Sequence, residues 1–196
     1  MFVPVMAALG FALFETPIGP CGIAWTDGGV AGVQLPEQNE EATRARLRRR
    51  YPAALEAAPP DRIRLAVDGI RDLLHGEKRD LSDVAVDLPD VSSFQQRLYA
   101  ELRTIPAGAT VSYGELATRL GGDITARDVG EAMGQNPVPI IVPCHRVVAA
   151  GGKLGGFSAA GGVTTKLRLL EIEGAQVGET PTLFDSLPLA AKPRRK

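Results

Sequence analysis

Cysteine and histidine are scarce in this chain, with two of each in 196. Cys21 and Cys144 can close one bridge at most, so a disulfide framework is excluded and a reducing compartment, the cytoplasm, is expected. His75 and His145 add too little to those cysteines for a four-ligand zinc cluster, and no metal or other cofactor is expected. Net charge is nearly absent, at −1. Residues 1–90 carry 10 basic and 14 acidic side chains, residues 91–175 carry 8 and 7, and residues 176–196 carry 4 and 2. Bulk charge therefore offers no steering toward nucleic acid, and any such affinity has to come from a local patch in the second half. A long hydrophobic run is lacking as well. The apolar stretch from Met1 to Phe14 is too short to span a bilayer and has no Lys or Arg before it. It reads as part of a domain rather than a signal peptide, and no membrane partner is expected.

What is present is ordinary for a globular chain: 44% hydrophobic and 23% charged residues, which removes the disordered and collagen-like classes. In the first half, Phe11–Phe14, Gly22–Trp25 and Val30–Leu35 are separated by Pro17–Gly19 and Asp27-Gly28-Gly29, the pattern of a small antiparallel meander. Asn39 is placed to cap a helix with Glu40 and Glu41 in its first turn and Arg48 to Arg50 in its last. That arginine run reads as a solvated helix end rather than a nucleic-acid patch, given the nearby glutamates. A second helix follows Pro60-Asp61, with Ile63, Val67, Ile70 and Leu74 on one face. Val84 to Leu88 reads as a last strand and Pro89-Asp90 as a boundary. Cys21, in a glycine-flanked strand, reads as a core residue.

The second half is built differently. Ser93 with Gln96 reads as a capping box opening a helix to about Arg103, apolar at Phe94, Leu98 and Leu102. Ser112 with Glu115 makes another, for a short helix ending at Gly121-Gly122. Thr125 caps a third, from Ala126 to about Gln135, stopped by Asn136-Pro137. Two short helices joined by a glycine turn, the second with an exposed arginine, form the pattern of a helix-turn-helix. The glycine-rich loop Gly151 to Gly162 does not match a phosphate-cradling fingerprint and is better suited to wall a small pocket. A final helix runs from Thr164 to about Ile172, with Glu171 and Glu173 near its end.

The segment with most chemistry is Asn136 to Arg146, N-P-V-P-I-I-V-P-C-H-R. Pro137, Pro139 and Pro143 prevent a helix, so a stiff, extended connection delivering Cys144 to one place is expected. A thiol attacks as its thiolate, which neighbouring positive charge favours, and an imidazole within reach can take its proton. A small core hydrophobe is the other reading of this cysteine.

Taken together, the stretches F-Q-Q-R-L-Y (94–99), V-S-Y-G-E-L-A (111–117), A-R-D-V-G-E-A-M (126–133), N-P-V-P-I-I-V-P-C-H-R-V-V (136–148) and L-L-E-I-E-G (169–174) resemble the methylated-DNA–protein-cysteine methyltransferases, the O6-alkylguanine-DNA alkyltransferase family. The likeness covers residues 91 to about 175; the first half is similar only in outline and in its T-P-I-G turn (16–19). It implies an α+β protein in three parts. These are a ribonuclease H-like domain (1–90), a winged helix-turn-helix-like domain holding the active site (91–175) and a remaining tail (176–196), whose prolines and basic end read, from the residues themselves, as flexible. It implies a monomer that repairs duplex DNA containing O6-alkylguanine by irreversible, single-turnover transfer of the alkyl group to Cys144 after nucleotide flipping.

The resemblance also distributes roles. His145 corresponds to the base that deprotonates the thiol through a bound water, and Glu173 to the acid that orients this histidine, with Glu171 as the competing candidate. Asn136 corresponds to the brace of the turn before the active-site strand. Tyr113 corresponds to the tyrosine that crowds the target phosphate and donates to the departing guanine. Arg127 corresponds to the finger that fills the gap in the base stack, with Ser112, Ala126 and Arg146 as further DNA contacts. Met133, Pro139, Val147, Phe157 and Ser158 correspond to the pocket wall, Ser158 donating near guanine O6. Phe157 departs from the tyrosine of many relatives, and the loop F-S-A-A-G-G is longer than in some, which leaves pocket size open. In the tail, Thr182-Leu183-Phe184 reads first as a patch packing on its own domain, with docking to a replication or repair partner as the alternative. Rival readings are a lesion sensor, a helix-turn-helix regulator and a Cys-His-Glu hydrolase.

Overall fold

The computed structural model describes residues 9–176; the expectations placed on the first residues and on the tail beyond Gln176 lie outside them. Turn chemistry sets the first sheet. Strands β1 (Gly10–Phe14), β2 (Cys21–Trp25) and β3 (Val30–Gln34) pair antiparallel in sequence, as the meander requires. Thr16 closes the first turn by donating its hydroxyl to the Gly19 carbonyl. After β3, Asn39 caps α1 (Glu40–Arg50), its side chain accepting from the Ala42 amide at 2.9 Å. The chain then returns as β4 (Leu55–Glu56), which joins β1 in parallel, so the sheet order is β3-β2-β1-β4. This fourth strand was not expected from sequence. Helix α2 (Asp61–Leu74) buries Ile63, Val67, Ile70 and Leu74, the stripe that its apolar spacing predicts.

Val84 to Leu88 is not a strand. It makes a single bridge, Val86 to Val30, with the Val30 and Asp87 amides as its two donors. Helix α3 (Ser93–Arg103) begins one residue earlier than the predicted box: Ser92 and Gln95 exchange the reciprocal bonds. Strand β5 (Val111–Ser112) leads directly into α4 (Tyr113–Leu120), where Ser112 and Glu115 form the expected capping box. Gly121, at φ 71, ends α4 in a conformation that favours glycine. Thr125 and Asp128 then box α5 (Ala126–Gly134). Such a cap stabilises its helix by about 1 kcal/mol, which matters for helices of only eight and nine residues.

After a short 3-10 turn (Cys144–Arg146), β6 (Val147–Val148) pairs in parallel with β5, and α6 (Val163–Ile172) closes the fold. One continuous core runs through both halves, with Ile23, Leu73 and Leu74 in the same cluster as Leu98, Leu102, Val138 and Cys144. The halves are also tied by backbone, the Val33 amide donating to Pro137 at 2.9 Å. Helices α3, α4 and α5 therefore stand on a fixed base. The segment leading to Cys144 is pinned between that base and α6.

Candidate active site

The Cys144 segment is compact rather than extended. Val142 donates its amide back to the Val138 carbonyl at 2.9 Å, and Pro139 bridges to Val142. Asn136 is the reason the turn holds: its Oδ1 accepts from the Val138 amide at 3.0 Å and its Nδ2 donates to the Val142 carbonyl at 2.8 Å. Inside the clamp Ile140 sits at φ 76, a strained value for a β-branched residue. Buried packing and the Asn136 bonds hold it there, and the strain lies four residues from the thiol. Asn136 thus braces the turn.

The clamp sets Cys144 at the head of the 3-10 turn, 8% exposed, with His145 fully buried beside it. Burial pushes the Cys144 thiol up, opposed by a hydrogen bond from Asn136, by the Lys166 charge and by backbone amides at positions 144 and 145. The resting group is a thiol, not the thiolate that an adjacent arginine suggests. His145 Nε2 lies 2.9 Å from Glu173 Oε1, and its Nδ1 is buried without a hydrogen-bond partner in the described chain. Burial holds the imidazole below its ordinary pKa, against the pull of Glu173, so it is a neutral base at pH 7. With Nε2–H donating to the carboxylate, Nδ1 carries the free lone pair.

Glu173, the C-cap of α6, is the acid of this group; Glu171 is exposed. Arg146 grips Glu173 twice, Nε to Oε2 at 2.9 Å and Nη2 to Oε1 at 2.8 Å. Burial would raise the Glu173 carboxyl, but the bonds from His145 and Arg146 overcome it and hold it at about 2. Because His145 is neutral, the opposing charge is that of Arg146. This corrects the assignment of Arg146 to DNA: it is 6% exposed, and its remaining Nη1 donates to the Ile105 carbonyl. Its fork is directed inward, and at that burial it presents no face to a phosphate.

Two clefts meet at the thiol. One, about 430 Å³, runs along α5 and is lined by Tyr113, Gly130, Met133, Gly134, Phe157 and Ser158. The other, about 400 Å³, shares Met133, Gly134, Phe157 and Ser158, passes Asn136 and Pro139, and ends at α1. Four of the five pocket assignments therefore line a cleft with Cys144. Val147 does not: it is fully buried in register with Val111, where β6 pairs with β5. Arg127 projects from the first turn of α5, its side chain 86% exposed and paired with Glu131 at 2.9 Å on the same helix. Ala126 is exposed beside it, while Ser112 is partly buried and occupied in its capping box. Among the described residues no group of three or more His, Cys, Asp or Glu could hold a metal ion.

Lys166 was missed by sequence reading. It is fully buried, with no carboxylate partner among the described residues; its Nζ reaches the Gly156 carbonyl at 3.3 Å and lies 5.6 Å from the centre of the Tyr113 ring. Burial drives it down to about 8, partly offset by the neighbouring Cys144. The ammonium therefore ties the glycine loop to the tyrosine, and its charge acts on the thiol. Gly155, at φ 67, lets that loop close on the tyrosine, since a Cβ there would stand 3.2 Å from the ring. The signal was in α6. Lys166, Leu169, Leu170 and Glu173 follow the i, i+3, i+4, i+7 pattern of one helix face, so a lysine sat on the stripe that enters the core.

Comparison with known proteins agrees with this geometry. The family described as 6-O-methylguanine DNA methyltransferase, DNA binding domain, matches residues 93–175. A methylated-DNA–protein-cysteine methyltransferase of Mycobacterium tuberculosis is 38% identical over 175 residues, covering 89% of this chain and 98% of that protein. The crystal structure of Mycobacterium tuberculosis OGT in complex with DNA superposes with a TM-score of 0.67 at 36% identity, covering 87% of this chain and 96% of that one. A DNA base-flipping protein of Thermus thermophilus is 39% identical over 160 residues, covering 82% of this chain and 97% of that protein. With these matches reaching from the first sheet through the Cys144 site, the chain belongs to the methylated-DNA–protein-cysteine methyltransferase family.

Proposed function

We propose that this chain is a single-turnover DNA repair protein that moves the alkyl group of O6-alkylguanine in duplex DNA onto its own Cys144. The observation that carries the reading is the buried series Cys144, His145 and Glu173 at the floor of a cleft beside α5. In this reading residues 1–90 form a ribonuclease H-like support and residues 91–175 a winged helix-turn-helix that meets the DNA. The basic tail beyond adds weak, salt-sensitive affinity, and the protein works as a monomer in the cytoplasm.

The chemistry follows from the charges. Extruding the target nucleotide costs a few kcal/mol, and Arg127 fills the space it leaves once it releases Glu131. His145 Nδ1 takes the Cys144 proton through a water, and Glu173 stabilises the imidazolium so formed. The thiolate attacks the carbon on O6. The C–O bond breaks with its electrons on guanine, and hydroxyl donation from Tyr113 and Ser158 offsets the developing charge. Lys166 stabilises the thiolate while it exists. A thioether has no comparable leaving group, so the reaction stops at one.

The second reading is a lesion sensor that flips the base without transfer, favoured by the likeness to the Thermus base-flipping protein. Cys144, seated beside a neutral histidine, speaks for transfer. Intact mass after mixing with a duplex containing one O6-methylguanine separates the two. A gain of one methyl, mapped to Cys144 and ending at one equivalent, is expected. Tight binding without a mass change would favour the sensor, and turnover beyond one equivalent would favour a hydrolase.

A further inference from the structure

The proposed reaction needs only one cleft for the base, yet two clefts open on Cys144. The one along α5 runs beside the helices that meet DNA in the reading above, and its wall carries Tyr113. The other leads away from them, across Asn136 and Pro139, to Arg46, Arg49 and Arg50 of α1. These arginines follow i, i+3, i+4 spacing and share one helix face. The helix's other arginines are taken: Arg44 pairs with Glu40, Glu41 and Glu56, and Arg48 with Glu56. Among the described residues Arg46, Arg49 and Arg50 form no ion pair. Glu37 is the single carboxylate among the described residues lining this cleft, and it accepts a hydrogen bond from Gln34 at 3.2 Å. The far wall is cationic in excess, with a nucleophile at the near end.

We propose that the α1-side cleft receives the substituent on O6 during transfer, and that its arginine wall favours substituents longer than methyl that end in an anion. The inference rests on the alkyltransferase reading and adds a substrate class to it. In an in-line displacement the sulfur and the departing oxygen occupy opposite sides of the transferred carbon. The remainder of the substituent must then project sideways. With guanine in the α5 cleft, the α1 cleft is the space left for it. A methyl group does not reach the arginines and is insensitive to them. A carboxylate on a longer arm comes within the field of three guanidinium groups. The bonds made and broken stay the same: a Cys144 thioether forms, the C–O bond breaks, and guanine leaves with the electron pair and takes up a proton.

Free nucleobases separate this effect from DNA binding. Single-turnover rates are compared for guanine carrying 4-carboxybenzyl or the neutral 4-carbamoylbenzyl group on O6, at low salt. The carboxylate probe is expected to react about fivefold faster, because exposed ion pairs are individually weak. The preference is expected to vanish in the R46Q/R49Q/R50Q variant and in high salt, while methyl transfer from duplex is unchanged. Equal rates, or a preference that survives the triple substitution, would overturn the proposal. So would a variant that loses transfer from methylated duplex with a shallower salt dependence, which would assign the arginines to DNA phosphates. No reaction with either free base, by protein that still demethylates duplex, would overturn the cleft assignment alone; failure on both kinds of substrate would take the alkyltransferase reading with it.

Discussion

Replacing Glu173 by glutamine removes one charge and almost no volume, and it tests the electrostatics of the whole site. The carboxylate is held at about 2 from an ordinary 4.5 while its side chain is 1% exposed. A shift of that size corresponds to about 3 kcal/mol of folding stability at pH 7. The E173Q protein loses it and leaves Arg146 buried without its counter-ion, a change of the same order by an independent route. For a chain of this length that is roughly 6–12 °C in Tm. The sign with pH is fixed because the folded pKa is depressed. The stabilisation is complete above about 4.5 and is lost as pH falls toward 2. Urea denaturation of both proteins between pH 7 and pH 3 should show the gap narrowing by about 2 kcal/mol. Asp80, Glu115 and Asp128 are also held low by hydrogen bonds, but both proteins share them and their contribution cancels in the difference. A gap that is absent at pH 7, or that does not change with pH, would mean that Glu173 is not the ionised partner of Arg146.

Lys166→Met should slow transfer yet stabilise the fold at pH 7 by about 1–2 kcal/mol, because the ammonium is held at about 8 and its charged form opposes folding until pH rises through 8 toward 10.5. Thermal melts and a rate–pH profile shifted upward check it; a destabilised variant at pH 7 would count against this placement. Asn136→Ala should cost about 2 kcal/mol, removing both clamp bonds and releasing the strained Ile140 turn. It should also raise the pH at which iodoacetamide alkylates Cys144, since Asn136 favours the thiolate. Glu131→Gln frees Arg127 from its 2.9 Å partner. Transfer from duplex should then quicken about twofold with no change on the free base, as a surface pair of this kind is weak.

Most elements were legible because short-range chemistry decides them. Asn39, Ser112 and Thr125 cap where their side chains can reach a backbone amide, and the α2 stripe falls on residues that have to be buried. The misses came from choices that only tertiary structure makes. Val91 to Gln96 contains two overlapping Ser-x-x-Gln frames, and the fold used the first. Val84 to Leu88 alternates like a strand but meets only Val30, while Leu55–Glu56, with both residues exposed, pairs because α1 returns it to β1. Arg146 looked like a DNA contact because nothing local reveals a partner 27 residues away.

That last error points to how the site is built. Thr26, Thr43, His145, Arg146, Lys166 and Glu173 are the buried polar or charged residues among those described. The last four are the histidine next to Cys144, its carboxylate partner, the arginine that grips that carboxylate, and the lysine whose charge acts on the thiol. The thiol is pushed up, the histidine and lysine down, and the carboxylate held low by an arginine that faces inward. A surface thiol is partly ionised near neutral pH and open to any electrophile in solution. Here the proton stays on sulfur until an electrophilic carbon is delivered into the cleft, with the base and the cation that make a thiolate already in position. For a protein that can react once, suppressing the resting nucleophile is as useful as activating it. The two follow from the same buried charges, which is why Lys166→Met is expected to give a more stable and slower protein.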